Sequence, residues 1–408
     1  MKIIKSENFI YLSIIASPLY LLRFEFFGIP TNLLEIIILI TFLVWLLEKN
    51  CFKFNYTKIL FLIILLFLGL ISSAILKENH TTSFGIIKGW FVFPILFGFI
   101  VYNKINSLKK SKNILFSMFL SSFIVSLFSL IFYYYPTSLT FDNRLRFFYP
   151  SPNYLAMFLA PGILVSFYVI PFFKNAFWGY FMLAIMILSF YLTFSYAAWF
   201  SVFLSSLLSI LFIKNIFQNR KKFRLIFLSI FLILILFIFL QADTSKFQDL
   251  INLEERSSLS SRIIIWKSSF KILSDNYLLG IGAGNFQEKY LDYQQYFPPY
   301  LEWAVPQPHN LYIAFWLQSG LIGFLAFVGM IYFWIKIILF NILKAKNDSK
   351  KRLAITLLVT MSYILIHGLV DTTYWKNDLS LFFWIIFFLA LKTSQIKPSS
   401  LLKKKLFR

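Results

Sequence analysis

The chain has 408 residues, of which 59% are apolar and only 14% charged, and its mean hydropathy is +0.75. Soluble domains carry about 25% charged residues, so a soluble globular protein is excluded, and apolar runs that are continuous rather than alternating exclude a β-barrel. The net charge of +22 does not point to nucleic acid, because the basic residues lie between the apolar runs, where topology signals sit.

A membrane span needs about 20 mainly apolar residues, and the runs predict an all-α polytopic membrane protein of about twelve transmembrane helices. They fall at about 8–22, 31–47, 59–76, 85–102, 114–134, 154–173, 177–194, 197–213, 225–241, 310–338, 353–369 and 379–392. The first run follows Lys2 and Lys5 but precedes no small-residue cleavage site, so it reads as a retained helix. The second carries Glu35 and the fourth Lys88, the main charges inside apolar runs. Loops rich in Lys and Arg near 49–58, 104–112, 214–224 and 344–352 alternate with basic-poor loops. An even span count and the positive-inside rule then put both termini in the cytoplasm. The expected division is 1–241, nine helices; 242–308, one long extracytoplasmic loop; 309–392, three helices; and 393–408, a basic cytoplasmic tail.

The long loop is polar, mixed in charge and rich in Ser, Tyr, Gln and Gly. Residues 257–261 offer serines to cap a helix. Ile263, Trp266, Phe270 and Leu273 then fall on one face, with Arg262, Lys267 and Lys271 elsewhere. That pattern fits a helix lying on the membrane surface, or equally one packed on top of the bundle.

Residues able to do chemistry gather at the extracytoplasmic side. His309, in Gln307-Pro308-His309-Asn310, sits near a helix start, because Pro suits a first turn. The dipole there disfavours imidazolium, and a neutral imidazole is a general base; the alternative is an interfacial His satisfied by backbone. Arg262, one turn before Trp266, suits bidentate phosphate binding or plain headgroup contact. Gly280, Gly282 and Gly284 form a loop whose amides can cradle phosphate, or a tight turn that closes the surface helix. Arg144 and Arg146, before Asn153, break the positive-inside pattern and either bind an anion or anchor a flank. His367 and Asp371 are spaced to meet at i, i+4. The single Cys51 and three histidines leave no recognisable metal site, and no cofactor is expected.

Taken together these pieces resemble the O-antigen ligase and polymerase family of bacterial membrane proteins. The most specific part reads Ser-Arg262, Trp266, Gly280-x-Gly282-x-Gly284, Pro308-His309-Asn310 and Gly320-x-x-Gly323. The segment from Arg144 to Asn153 and the His367-x-x-x-Asp371 element look like further family features. The resemblance implies a GT-C-like fold in the bacterial cytoplasmic (inner) membrane, among membrane lipids. It implies transfer of a glycan from an undecaprenyl-diphosphate carrier to a hydroxyl on lipid A-core, another glycan or a protein. By it, Arg262 and His309 are catalytic, and Arg144, Arg146, Trp266, Gly280, Gly282 and Asn310 bind substrate. Asn153, Tyr196, His367 and Asp371 support them. One departure stands out: Tyr196 occupies the place where many members carry a second arginine, which Arg144 or Arg146 would have to replace. The proline that usually precedes the glycine loop is Tyr277 here. A polymerase of the same family is the alternative reading, and a lipid-linked oligosaccharide flippase a more distant one.

Overall fold

The computed structural model describes residues 5–26, 29–48, 52–75, 80–213, 258–299 and 304–396. Between 213 and 258 it describes 228, 231–232, 235–244, 247–248 and 251–252. Much of the predicted span at 225–241, Cys51, Ser257 and the tail from 397 lie outside the described residues.

Most of the described chain is helical. α1 (Ser6–Ile15) ends in a short 3-10 turn, so the first predicted span is too short to cross a bilayer as a helix. A two-stranded antiparallel hairpin (β1 Arg23–Phe26, β2 Ile29–Asn32) leads into α2 (Leu33–Leu47). Next come α3 (Thr57–Ile75), α4 (His80–Lys104, with a π-helical turn at Ile87–Val92), α5 (Leu108–Ile131), α6 (Pro152–Val169), α7 (Ala176–Leu192) and α8 (Tyr196–Ile213). The later helices are α9 (Ser258–Asp275), α10 (Phe286–Tyr293), α11 (Leu311–Lys344), α12 (Asp348–His367) and α13 (Asn377–Thr393). Five helical stretches are long and apolar enough to cross a membrane: α3, α4, α5, α6 continued to Phe172, and α11.

The bundle is inside-out relative to a water-soluble one. Large apolar side chains such as Leu43, Phe61, Ile64, Leu68, Leu325 and Val328 point outward. Serines point inward: α5 buries Ser117, Ser121, Ser122, Ser126 and Ser129. Small polar residues at helix contacts let backbones approach closely where lipid offers no hydrophobic drive. Ser121 Oγ donates to the Ile15 carbonyl at 3.0 Å, and the hydroxyls of Ser129 and Ser189 pair at 2.7 Å. α13 is apolar and buried all round, as an axial helix must be, with α4, α6, α11 and α12 around it. The charges in the second and fourth runs pair with each other: Lys88 Nζ lies 2.9 Å from Glu35 Oε2. Glu35 stands in the first turn of α2, capped by Asn32, so this pair sits at a helix end.

The glycine motifs act through α11. Gly320 breaks that helix, with φ 65° and ψ −178°, a region essentially reserved for glycine. The backbone groups freed by the break are met by the 278–284 loop. Ile281 N–H donates to the Leu317 carbonyl at 2.6 Å, and Leu321 N–H donates to that of Leu278 at 2.9 Å. A Cβ on Gly280 would lie 2.3 Å from the Leu317 carbonyl oxygen. Gly323 meets Gly69 of α3, where an added Cβ would come within 2.6 Å of the Gly323 nitrogen. Replacing Gly320 by Ala places a Cβ 2.6 Å from the Leu278 oxygen and adds backbone strain of about 1–3 kcal/mol. A clear fall in thermal stability by fluorescence-detected size exclusion is expected. Gly85→Ala, where a Cβ meets nothing within 4 Å, should leave stability unchanged or raised, because Ala favours a helix by about 1 kcal/mol over Gly.

The long loop has a core of its own. Ile265, Ile272, Leu273, Ile281, Phe286, Tyr290 and Val305 pack on Ile313 and Leu317 of α11. Within α9 the apolar residues divide between two sides. Leu273 is buried, but Ile263 and Phe270 are exposed, and Ile265, Ser268, Ser269 and Ile272 turn inward. Contact with α10 and α11 selects the stripe whose serines allow close approach, and Ile263, Lys267, Phe270 and Lys271 are left outward.

Candidate active site

Five chain segments converge at one end of the bundle: the turn before α6, the turn before α8, the first turns of α9, the strand-like entry to α11, and the turn after α12. They surround a cavity of about 510 Å³. Its polar lining includes Arg144, Asn153, Tyr196, Ser261, Arg262 and His309. Phe194, Phe200, Leu259, Ile265 and Val305 form its apolar wall.

The centre of the polar network is Asp371, which is 1% exposed. Its Oδ1 accepts from His309 Nδ1 at 3.0 Å and from Thr372 N–H at 2.9 Å. Its Oδ2 accepts from Asn153 Nδ2 at 3.1 Å and from Arg262 Nη2 at 3.4 Å. Burial alone pushes this carboxyl up, but the adjacent His309 and Arg262 outweigh it and hold Asp371 well below the usual carboxylate range. An ionised carboxylate only accepts hydrogen bonds. His309 Nδ1 must therefore be the donor, and in the neutral ring the free lone pair falls on Nε2.

His309 has φ 45°, a left-handed conformation uncommon for a residue with a Cβ. The next residue explains how it is held. Asn310 caps α11, accepting from Tyr312 N–H and Ile313 N–H at 2.9 and 3.0 Å, and its Nδ2 donates to the Leu369 carbonyl at 2.8 Å. Leu311 N–H donates to the Gly368 carbonyl at 2.7 Å. Trp266 Nε1 donates to the His309 carbonyl at 3.2 Å. The strain at His309 is thus offset by bonds on both sides.

Two guanidiniums face the cavity. Arg262 is anchored by Nε to the Val370 carbonyl at 2.8 Å and by Nη1 to the Ser258 carbonyl at 3.2 Å. Arg144 donates from Nε to the Thr193 carbonyl and from Nη2 to Asn153 Oδ1, both at 3.0 Å. Burial pulls Arg144 down; Asp142, 3.9 Å away, opposes this, and the like charge of Arg262 adds to it. Two guanidiniums with shape-fixed donors on one cavity wall are of the kind that can hold a dianionic group. Tyr196 also lines the cavity, and its hydroxyl donates to Gln241 Oε1 at 3.3 Å, while Gln241 Nε2 donates to Tyr191 at 2.9 Å.

The structure places the other expected substrate contacts outside the lining of this cavity. Arg146, Trp266, Gly280, Gly282 and Asn310 are not among the residues lining the cavity. Arg146 donates to the Thr137 carbonyl at 3.0 Å, Trp266 and Asn310 hold His309, and the glycines pack against the break in α11. His367 does not meet the Asp371 side chain. It is fully buried, with Nδ1 2.9 Å from the Tyr363 hydroxyl. The helix ends at His367, and the next turn swings Asp371 toward His309 instead. The backbone acceptors of Thr193 and Val370, which aim the two arginines, carry no sequence signal.

Residues 181–328 match the family model described as O-antigen ligase. The matched segment includes Tyr196, Arg262 and His309 and leaves Arg144, Asn153 and Asp371 outside it. No curated protein matches the chain.

Proposed function

We propose that this protein is an O-antigen ligase-like glycan transferase, which moves a sugar chain from an undecaprenyl-diphosphate carrier to an acceptor hydroxyl. The observation that carries the reading is one cavity holding two guanidiniums and a histidine with a carboxylate on its far nitrogen. The match over residues 181–328 supports the reaction class. Alternation of basic loops supports an active site on the extracytoplasmic face of the cytoplasmic membrane, with both termini inside.

The reaction is a single displacement with inversion. The acceptor oxygen attacks the anomeric carbon as the bond from that carbon to the phosphate oxygen breaks. The hydroxyl proton passes to His309 Nε2, and Asp371 stabilises the resulting imidazolium. The electron pair of the broken bond leaves on the diphosphate, where Arg144 and Arg262 meet the growing negative charge. A diphosphate departs without protonation, so no carboxylic acid is required, and the two arginines supply the positive charge without a metal. The apolar wall from Phe194 to Phe200 receives the start of the polyprenyl chain.

The test uses purified protein in liposomes with a labelled undecaprenyl-diphosphate-linked repeat unit, alone and then with candidate acceptors. Consumption of the donor with release of undecaprenyl diphosphate is expected. Arg262→Gln should slow that release by about 10²–10³-fold, the usual loss for one charge-stabilising donor. A donor that stays intact with every acceptor would sink the reading. A ladder of longer lipid-linked chains from the donor alone would establish the polymerase alternative. A flippase is disfavoured because transporters place ionisable groups at mid-membrane, whereas Glu35 and Lys88 pair at a helix end.

A further inference from the structure

Five residues beyond Asp371, and outside the lining of the cavity, stands Lys376. Its ammonium lies 4.8 Å from the ring centroid of Tyr154 and 5.8 Å from that of Trp90. Aromatic faces hold a cation through their quadrupole but do not neutralise it. Among the described residues, no carboxylate lies within ion-pair distance of Lys376 or of Arg23 on the hairpin. An ammonium has three donors and no acceptor, and none of the three meets an acceptor among the described residues. Burial pushes Lys376 down, and the like charge of Arg23 adds to that, while Asp378 opposes them. Asp378 is itself buried at 0% exposure. A half-buried cation that is repelled by a second one and lacks an acceptor is a costly arrangement, and a bound anion relieves it.

The position ties this pair to the chemistry. Tyr154 follows Asn153, which holds Asp371. The chain from Asp371 to Lys376 spans at most about 18 Å even if fully extended. The donor's diphosphate has its own cations in Arg144 and Arg262, so an anion at Lys376 belongs to the other substrate. We propose that Lys376, framed by Trp90 and Tyr154, is a subsite for an acidic group, carboxylate or phosphate, on the acceptor glycan. Calling that ligand the acceptor rests on the transferase reading; the binding itself does not.

The test is binding of tetragalacturonate to the purified full-length protein in a nonionic detergent, by calorimetry, with its fully methyl-esterified form as the uncharged control. The charged oligosaccharide should bind at least about tenfold more tightly, the scale of one charged hydrogen bond. Lys376→Met should remove most of that difference and leave the ester unaffected. Lys376→Arg should retain it. Donor turnover is read separately from this binding, so a failed transferase reading and a failed subsite give different results. Equal affinity for the two oligosaccharides, no binding of either, or unchanged binding by Lys376→Met overturns the proposal. Displacement of tetragalacturonate by phosphatidylglycerol, at lower concentration than by free galacturonate, overturns it in favour of a lipid headgroup.

Discussion

His309→Ala is expected to reduce transfer by about 10²–10⁴-fold, the usual worth of a positioned general base, while donor binding stays near normal. Among the described residues, the imidazole is the one base on the cavity wall whose second nitrogen is committed to a carboxylate, at 3.0 Å. Its removal takes away the proton acceptor but leaves Arg144 and Arg262 on their backbone carbonyls. Single-turnover release of undecaprenyl diphosphate separates the two quantities. Alanine at φ 45° also carries a backbone cost of about 1–2 kcal/mol, so His309→Asn, which tolerates that region better, serves as the partner variant. Near-normal turnover by either would remove His309 from the chemistry.

Asp371→Asn is expected to affect both activity and stability. The carboxylate accepts from four groups, His309 among them, and is the counter-charge for Arg262. Loss of one partner of a buried pair costs about 3–5 kcal/mol, and this is an upper bound because Asn keeps one oxygen. If the amide donates to His309 Nδ1, the ring proton moves to Nε2 and the base is lost. The corresponding change in a Ser-His-Asp triad costs about 10⁴ in rate, so a fall of that order is expected here. The pH sense follows from a folded pKa below the unfolded one. The ion pairing is fully present above the unfolded carboxylate value of about 3.9, and it is lost as pH falls from there through the folded value. The part of the stability gap between wild type and Asp371→Asn that the Arg262 pairing carries should therefore be present above about pH 5 and narrow in stronger acid. A gap that persists undiminished in strong acid, or unchanged turnover, contradicts this role.

Arg144 illustrates how far spacing alone reaches. Two arginines, 144 and 146, were equal candidates for the cation that Tyr196 displaces. The structure separates them: Arg144 is drawn to the Thr193 carbonyl and Asn153 at the cavity, and Arg146 to Thr137. Residues two apart in an extended segment share a face, so their separation comes from the turned backbone here, with left-handed φ at Asn143 and Phe147, which the spacing does not reveal. The glycine loop shows the same limit. Its backbone requirement was legible, whereas its task, supplying partners to the broken α11, depends on a segment some 40 residues later.

What the sequence by itself determined is the part governed by local chemistry. Apolar runs mark the helices, because a backbone in lipid must satisfy its own hydrogen bonds. Asn32 and Asn310 start helices because their side chains cap free N–H groups. Arg262 and His309 stand out in the sequence through the motif that resembles a known family's. Only the tertiary structure decided the partners. It joined Asp371 to His309 across 62 residues rather than to His367 four away, turned Ile263 and Phe270 outward, and set Lys376 between Trp90 and Tyr154. A charge finds its partner by distance in space and by what burial leaves available, and neither is written in the spacing of one segment.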